Sequence, residues 1–143
     1  MALDPKIWGP HYWFVLHTIA LNYPLNPNDT AKKKYYDFIE NFPLFIPVPD
    51  MANSFSKLLD SHPVTPYLDS RESFIKWVYY IHNQVNLSIG IPEKSFEETL
   101  HNYYKLYEPK EITIKNNLIK KEKYIYFVII ITLIILSYTL YKR

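Results

Sequence analysis

The sequence predicts an all-α fold: a four-helix bundle plus a short fifth helix, followed by one C-terminal transmembrane helix. Three observations predict it. Apolar residues recur at helical spacing in successive segments bounded by Pro, Gly or capping residues. No segment shows sustained two-residue alternation between turn signals, so strands have no support. The chain closes on an uncharged, Ile-rich stretch of membrane-spanning length.

Gly9-Pro10 can open the first helix, because proline suits the first helical turn, and Pro24 closes it after the largely apolar run from Tyr12 to Leu21. A helix apolar nearly all round belongs at the centre of a bundle. Asp29 or Thr30 can cap a second helix whose inner face is Tyr35, Phe38, Ile39 and Phe42, stopped by Pro43. A third begins at Asp50, carries Met51, Phe55, Leu58 and Leu59 on one stripe, and ends before Pro63. The fourth is the most clearly bounded. Asp69-Ser70-Arg71-Glu72 resembles a capping box, and Phe74, Trp77, Val78, Ile81, Val85 and Ile89 keep a helical period up to Gly90. Ser95-Phe96-Glu97-Glu98 offers another box, opening a fifth helix with Phe96, Leu100, Tyr103 and Tyr104 inward and Pro109 after it.

The last segment, Tyr124 to Tyr141, has no charge. Its 18 residues, at about 1.5 Å each, reach about 27 Å, enough to cross a hydrocarbon core. Tyr124, Tyr126, Tyr138 and Tyr141 lie near its ends, where amphipathic rings favour the interface, and Lys123 and Lys142-Arg143 bracket it. A buried β-rich core segment is the competing reading, but the terminal position favours an anchor. Lys115, Lys120, Lys121 and Lys123 outnumber the positive residues beyond the span, so the positive-inside tendency places the preceding domain on the cytosolic face. No apolar segment precedes Trp8, which argues against a cleavable signal peptide and for a tail anchor. The expected division is residues 1–108 as a helical domain, 109–123 as a charged linker able to continue into the membrane helix, and 124–141 as the anchor.

Composition excludes several function classes. With 143 residues there is room for one core, and a 17% aromatic content can fill it without disulfide support. There is no cysteine, hence no thiolate metal site and no indication of redox compartment. Gly9 and Gly90 are the only glycines, too few for a Rossmann or P-loop phosphate cradle. A formal charge of +2, scattered along the chain, does not mark a nucleic-acid binder. His11, His17, His62, His82 and His101 form no H-E-x-x-H or other metal-ligand spacing, and no G-x-S-x-G elbow exists. Lys32-Lys33-Lys34 reads as a solvated helix start. Asn28-Asp29-Thr30 and Asn86-Leu87-Ser88 match glycosylation acceptors, which matter only in a lumenal domain.

Two motifs carry more information. Trp8-Gly9-Pro10-His11-Tyr12-Trp13 with Leu16-His17 lies on the first helix, and Trp77 with His82-Asn83-Gln84-Val85-Asn86 lies on the fourth. Taken alone, His17, His82, Asn83 and Asn86 read as polar residues satisfied at a helix seam. Occurring together, in this order and spacing, the motifs resemble the Erv/ALR sulfhydryl oxidases, a FAD-binding helical family that makes disulfides. The resemblance covers Ile7 to about Phe96. It implies four helices around the flavin, a short fifth helix and commonly a homodimer. It also implies a cofactor site in which Trp8, Gly9, Trp13 and His17 line the flavin from the first helix. From the fourth, His82, Asn83, Val85 and Asn86 hold the adenine and ribose side, with Trp77 packed nearby. Aromatic planes stack on flat rings and His and Asn supply oriented hydrogen bonds, so the residue types suit such a site.

The departures concern the reaction. The family places a Cys-x-x-Cys after a Leu-Pro or similar pair at the end of the second helix. Here Phe42-Pro43 is followed by Leu44-Phe45-Ile46-Pro47, and in another register Ile46-Pro47 is followed by Val48-Pro49-Asp50-Met51. Neither supplies a thiolate, which disulfide exchange requires. Gly90-Ile91-Pro92 stands for the family's Gly-Lys-Pro, and Pro10 stands where many members have Arg. Three readings follow: a catalytically inactive Erv/ALR-like module with a structural or partner-binding role; a flavin-binding redox protein fed by an external electron donor; and an unrelated helical membrane protein. No catalytic residue is assigned, and the protein partner is unidentified. Since the family also occurs in large DNA viruses, a virion membrane is an expectation by analogy.

Overall fold

The computed structural model describes residues 3–142, and of residues 110–113 only the backbone. Arg143, one of the two cations read as closing the membrane span, lies outside the described residues. Among the described residues there are six α-helices and no strand: α1 Pro5–Leu21, α2 Asp29–Asn41, α3 Pro49–Ser61, α4 Arg71–Ser88, α5 Phe96–Lys105 and α6 Lys110–Tyr141. The chain forms two compact units, Met1–Tyr103 and Tyr104–Arg143.

The first unit is built on α1 and α4, which pack against each other. Helix α1 starts earlier than Gly9-Pro10 suggests. Asp4 is its N-cap, accepting a bond from the Lys6 backbone N–H at 2.9 Å, and Pro5 takes the first position, leaving Pro10 inside the helix. Helix α2 is capped by Asn28, whose Oδ1 accepts from the Ala31 N–H at 2.8 Å, one residue ahead of the expected Asp29 or Thr30. A turn of 3-10 helix, Phe42–Phe45, then leads into α3, which opens with Pro49. The Ser70 hydroxyl caps α4 through the Ser73 N–H at 3.1 Å. Glu72 takes no part in that cap and pairs instead with Lys76 one turn on.

The core is aromatic. Tyr23, Phe74, Ile81, Val64 and Val78 are fully buried, joined by Leu16, Ala20, Ile39, Phe42, Phe55, Leu59, Leu68 and Trp77. Each large side chain buried this way stabilises by about 1.5–3 kcal/mol relative to exposure. Tyr23 shows how the polar parts are satisfied. Its hydroxyl donates to the Leu68 carbonyl at 2.7 Å, and its own carbonyl accepts from Arg71 Nε. Its ring meets Tyr35 and Phe74 edge-on or tilted. The start of α4 is thereby tied to the end of α1. Ile89, expected inside, is 54% exposed beyond the end of α4, and Gly90 turns the chain with a positive φ of 76°.

Helix α5 is capped by Ser95, whose hydroxyl accepts from the Glu98 N–H at 3.0 Å. It rests on α1 through Tyr103, whose ring stacks on Phe14 and whose hydroxyl lies 2.9 Å from that of Thr18. Tyr104, expected to point inward, is exposed.

The second unit is dominated by α6. The charged segment before Tyr124 is helical and continuous with the apolar one, and Ile114–Tyr141 is long and apolar enough to cross a membrane by length and composition.

Candidate functional site

The two sequence motifs meet where α1 crosses α4. Trp13 and His17 are one turn apart on α1 and so share a face, and His82 on α4 faces both. The Nε2 of His17 and the Nδ1 of His82 are 3.0 Å apart, a distance at which one ring donates and the other accepts. The Trp13 indole lies flat on the His82 imidazole, centroids 4.0 Å apart and planes 8° from parallel, and meets Phe55 of α3 edge-on at 6.2 Å. Three helices therefore contribute to one ring cluster.

This cluster holds its imidazoles neutral. Burial lowers the pKa of His17 from 6.5 to about 4. Burial, and then the charges of His17 and Lys94, lower that of His82 to about 3. The bridge uses one nitrogen of each ring, leaving Nδ1 of His17 and Nε2 of His82 outside it. A pair of neutral imidazoles beside an indole face can stack on a flat heteroaromatic group and exchange hydrogen bonds with its edge.

The remaining residues of the motifs fall into different surroundings. Trp8 is half-buried, meets Tyr12 edge-on at 5.0 Å and donates its indole N–H to the Leu3 carbonyl at 3.3 Å. Gly9 is half-buried beside it, and a Cβ built there would meet no atom within 4 Å. Trp77 is buried at the far side of α4, stacked on Phe74, with its N–H donated to the His62 carbonyl at 3.1 Å. Val85 is half-buried against the core. Asn86 is buried, and its backbone carbonyl receives the Ile91 N–H at 2.8 Å, fixing the turn after α4. Asn83, also buried, directs its amide to the backbone of Lys94: Nδ2 donates to the Lys94 carbonyl at 2.9 Å, and Oδ1 accepts from the Lys94 N–H at 3.2 Å.

Sequence reasoning did not identify Lys94, or Phe55, as neighbours of this cluster. Phe55 carries only the signal of a core stripe, and Lys94 lies in a loop whose placement depends on a tertiary bond. Tyr12 has a further role: its hydroxyl donates to the Phe45 carbonyl at 2.8 Å, tying the turn before α3 to α1. At the start of α3, Val48 occupies the N-cap position and Met51 the first turn, both half-buried. The other segment, Leu44–Phe45, lies on the preceding 3-10 turn with both side chains exposed. Neither segment carries sulfur able to form a disulfide.

Residues 10–106 match the model of the Erv1 / Alr family. A probable FAD-linked sulfhydryl oxidase of Acanthamoeba polyphaga mimivirus is 32% identical over 110 residues, covering 76% of this chain and 77% of the viral protein. The mitochondrial FAD-linked sulfhydryl oxidase erv1 of Schizosaccharomyces pombe is 34% identical over 84 residues, 59% of this chain and 46% of that protein. Among solved structures, the yeast Erv1 core superposes with a TM-score of 0.61 at 29% identity, over 65% of this chain and 77% of that one. The FAD binding domain of Erv1 from Saccharomyces cerevisiae superposes equally well, over 65% of this chain and 87% of that one.

Proposed function

We propose that this chain, which belongs to the Erv1/Alr family, no longer oxidises thiols and serves as a membrane-anchored structural or partner-binding module. One observation carries the reading: the chain has no cysteine, and Val48 and Met51 stand at the start of α3. Thiol–disulfide exchange proceeds by attack of a thiolate on a disulfide sulfur, and a methionine thioether cannot take either role. Incubating the purified full chain with FAD and a small dithiol tests this. Loss of free thiol should match FAD alone, and turnover at an enzymatic rate would sink the reading.

The residues present nevertheless fit FAD. The donor set is neutral and planar, with the Trp13 ring and the ring nitrogens outside the His17–His82 bridge; Asn86 lies on the same helix as His82, and Asn83 holds the loop beside it through the Lys94 backbone. Trp8, Gly9, Trp13 and His17 would hold the group from α1. From α4, His82, Asn83, Val85 and Asn86 would hold it, with Trp77 supporting that helix from the core. Bound FAD supplies an electron-accepting ring. In this chain the surrounding residues bind and orient that ring, and none of them can deliver electrons as a dithiol does.

The retained Trp13–His17–His82 cluster favours a second reading, a flavin-binding redox protein reduced by an external donor. A flavin absorption band in the full chain purified without added cofactor would support it, and a colourless protein that takes up no FAD would end it.

The proposed organisation is a helical domain over residues 1–108, a linker over 109–123 and a tail anchor over 124–141. The excess of lysine ahead of the span supports a cytosolic domain. Homodimerisation is proposed from the family resemblance, and the mimivirus relative supports a virion membrane as the site.

A further inference from the structure

Helix α6 is longer than a membrane core requires. Its charge-free residues 124–141 cover about 27 Å of a hydrocarbon layer roughly 30 Å thick, yet the helix runs unbroken ahead of them from Lys110. A helix that spans with residues 124–141 therefore carries residues 114–123 out of the core at fixed heights. Along its axis Lys120, Lys121 and Lys123 lie within about 6 Å of Tyr124, the depth of one headgroup layer, and Lys115 lies about 14 Å out. All four are exposed and, among the described residues, none takes part in an ion pair. Glu122, the one acid of residues 114–123, accepts instead from the Tyr126 hydroxyl at 3.4 Å. At the other end of the span, the Lys142 ammonium stands over the Tyr138 ring, 5.9 Å from its centroid.

The arrangement around the axis decides what these cations face. At about 100° per residue the four lysines leave the helix in directions spread over its whole circumference, with no gap wider than about a third of a turn. A helix lying flat on a membrane, or docked on an acidic protein, presents its cations on one side. A closed ring of cations at headgroup depth matches a ligand that surrounds the helix, and the leaflet is such a ligand. We propose that Lys115, Lys120, Lys121 and Lys123 form a collar that gathers anionic phospholipids around the N-terminal end of the span. The proposal rests on the reading that α6 crosses a membrane.

The test reconstitutes the full chain into vesicles of phosphatidylcholine and phosphatidylglycerol in equal amounts. The vesicles are washed with alkaline carbonate and returned to neutral pH, and the lipids that stay with the chain in mild detergent are measured by mass spectrometry. Phosphatidylglycerol should be enriched about fivefold over the input, the factor that one lysine near an anionic surface supplies. K115Q/K120Q/K121Q/K123Q should stay in the washed vesicles and lose the enrichment, whereas K115R/K120R/K121R/K123R should keep it. Salt added at the detergent step should reduce the enrichment in wild type, a reading that needs no variant. A wild-type chain retained without enrichment, enrichment equal in the glutamine variant, or enrichment indifferent to salt would overturn the collar and leave the anchor intact. Release of the wild-type chain by carbonate would overturn the anchor reading and this proposal together.

Discussion

His17 Nε2 and His82 Nδ1 stand 3.0 Å apart, a single hydrogen bond that joins α1 to α4 across 65 residues of sequence. Both imidazoles are neutral because burial opposes their charging. One proton can be shared across the bridge, whereas a second would put two cations at hydrogen-bonding distance in a site largely removed from water.

The pair makes stability depend on pH with a definite sign. Folded pKa values of about 4 and about 3 lie below the ordinary 6.5, so the unfolded chain takes up protons first on acidification. The contribution is complete above pH 6.5 and lost as pH falls from there through about 4 towards about 3. Thermal unfolding followed across that range should show a midpoint that drops on acidification, and H17A/H82A should flatten the part due to the pair. An equally steep fall in the double variant would assign the dependence elsewhere.

Trp13 couples the pair to α3 by stacking on His82 and meeting Phe55. W13A should cost about 2–4 kcal/mol, since truncating a large aromatic leaves a cavity that half-buried neighbours fill only in part. W13F should recover most of that stability. Denaturant midpoints measure both, and a W13A chain as stable as wild type would mean that the stack contributes nothing.

Tyr23 is a test of the fold independent of the Trp13–His17–His82 cluster. Replacing it with Phe keeps the ring contacts with Tyr35 and Phe74 but leaves the Leu68 carbonyl without its donor, at a cost of about 1–3 kcal/mol. Y23F should therefore lower the unfolding midpoint without altering flavin affinity. A change in affinity larger than the change in stability would link this end of the core to the site.

The apolar stretch of α6 predicts membrane association. Full-length protein made with membranes should stay with them through alkaline carbonate washing, and a V128K/I131K/I135K variant should be released, because three lysines make that stretch too costly to insert. Retention of the triple-lysine variant would place the attachment elsewhere.

Most helices were legible because Pro, Gly and hydroxyl residues punctuate the chain and the inner stripes keep a helical period. The misreadings have local causes. At α1, Asp4-Pro5 offers the same cap-and-proline signature as Gly9-Pro10, and a proline near a helix start can lie inside the helix when the loss of one hydrogen bond is tolerated. At α2, three successive residues could cap, and Asn28 does so. Tyr104 and Ile89 follow the helical period into positions where no neighbouring element covers them. Within the motifs, joint occurrence assigned Trp13, His17 and His82 to one site, with Trp13 and His17 at the flavin and His82 at the adenine and ribose side; the direct contact of the three rings was not legible. The tether from Asn83 to Lys94 was not legible either, because it spans a loop whose path depends on tertiary contacts. Trp77 reads in sequence as part of the flavin motif, and its side chain packs in the core on Phe74.

The central claim is that this fold keeps the architecture of a thiol oxidase and lacks the sulfur that performs the reaction. Restoring sulfur where Val48 and Met51 stand tests it most directly, by following loss of free thiol from a dithiol substrate with FAD present, for wild type and V48C/M51C side by side. The account predicts wild type at the rate of FAD alone and V48C/M51C above it; a wild-type chain that turns over as fast as the double variant would contradict it.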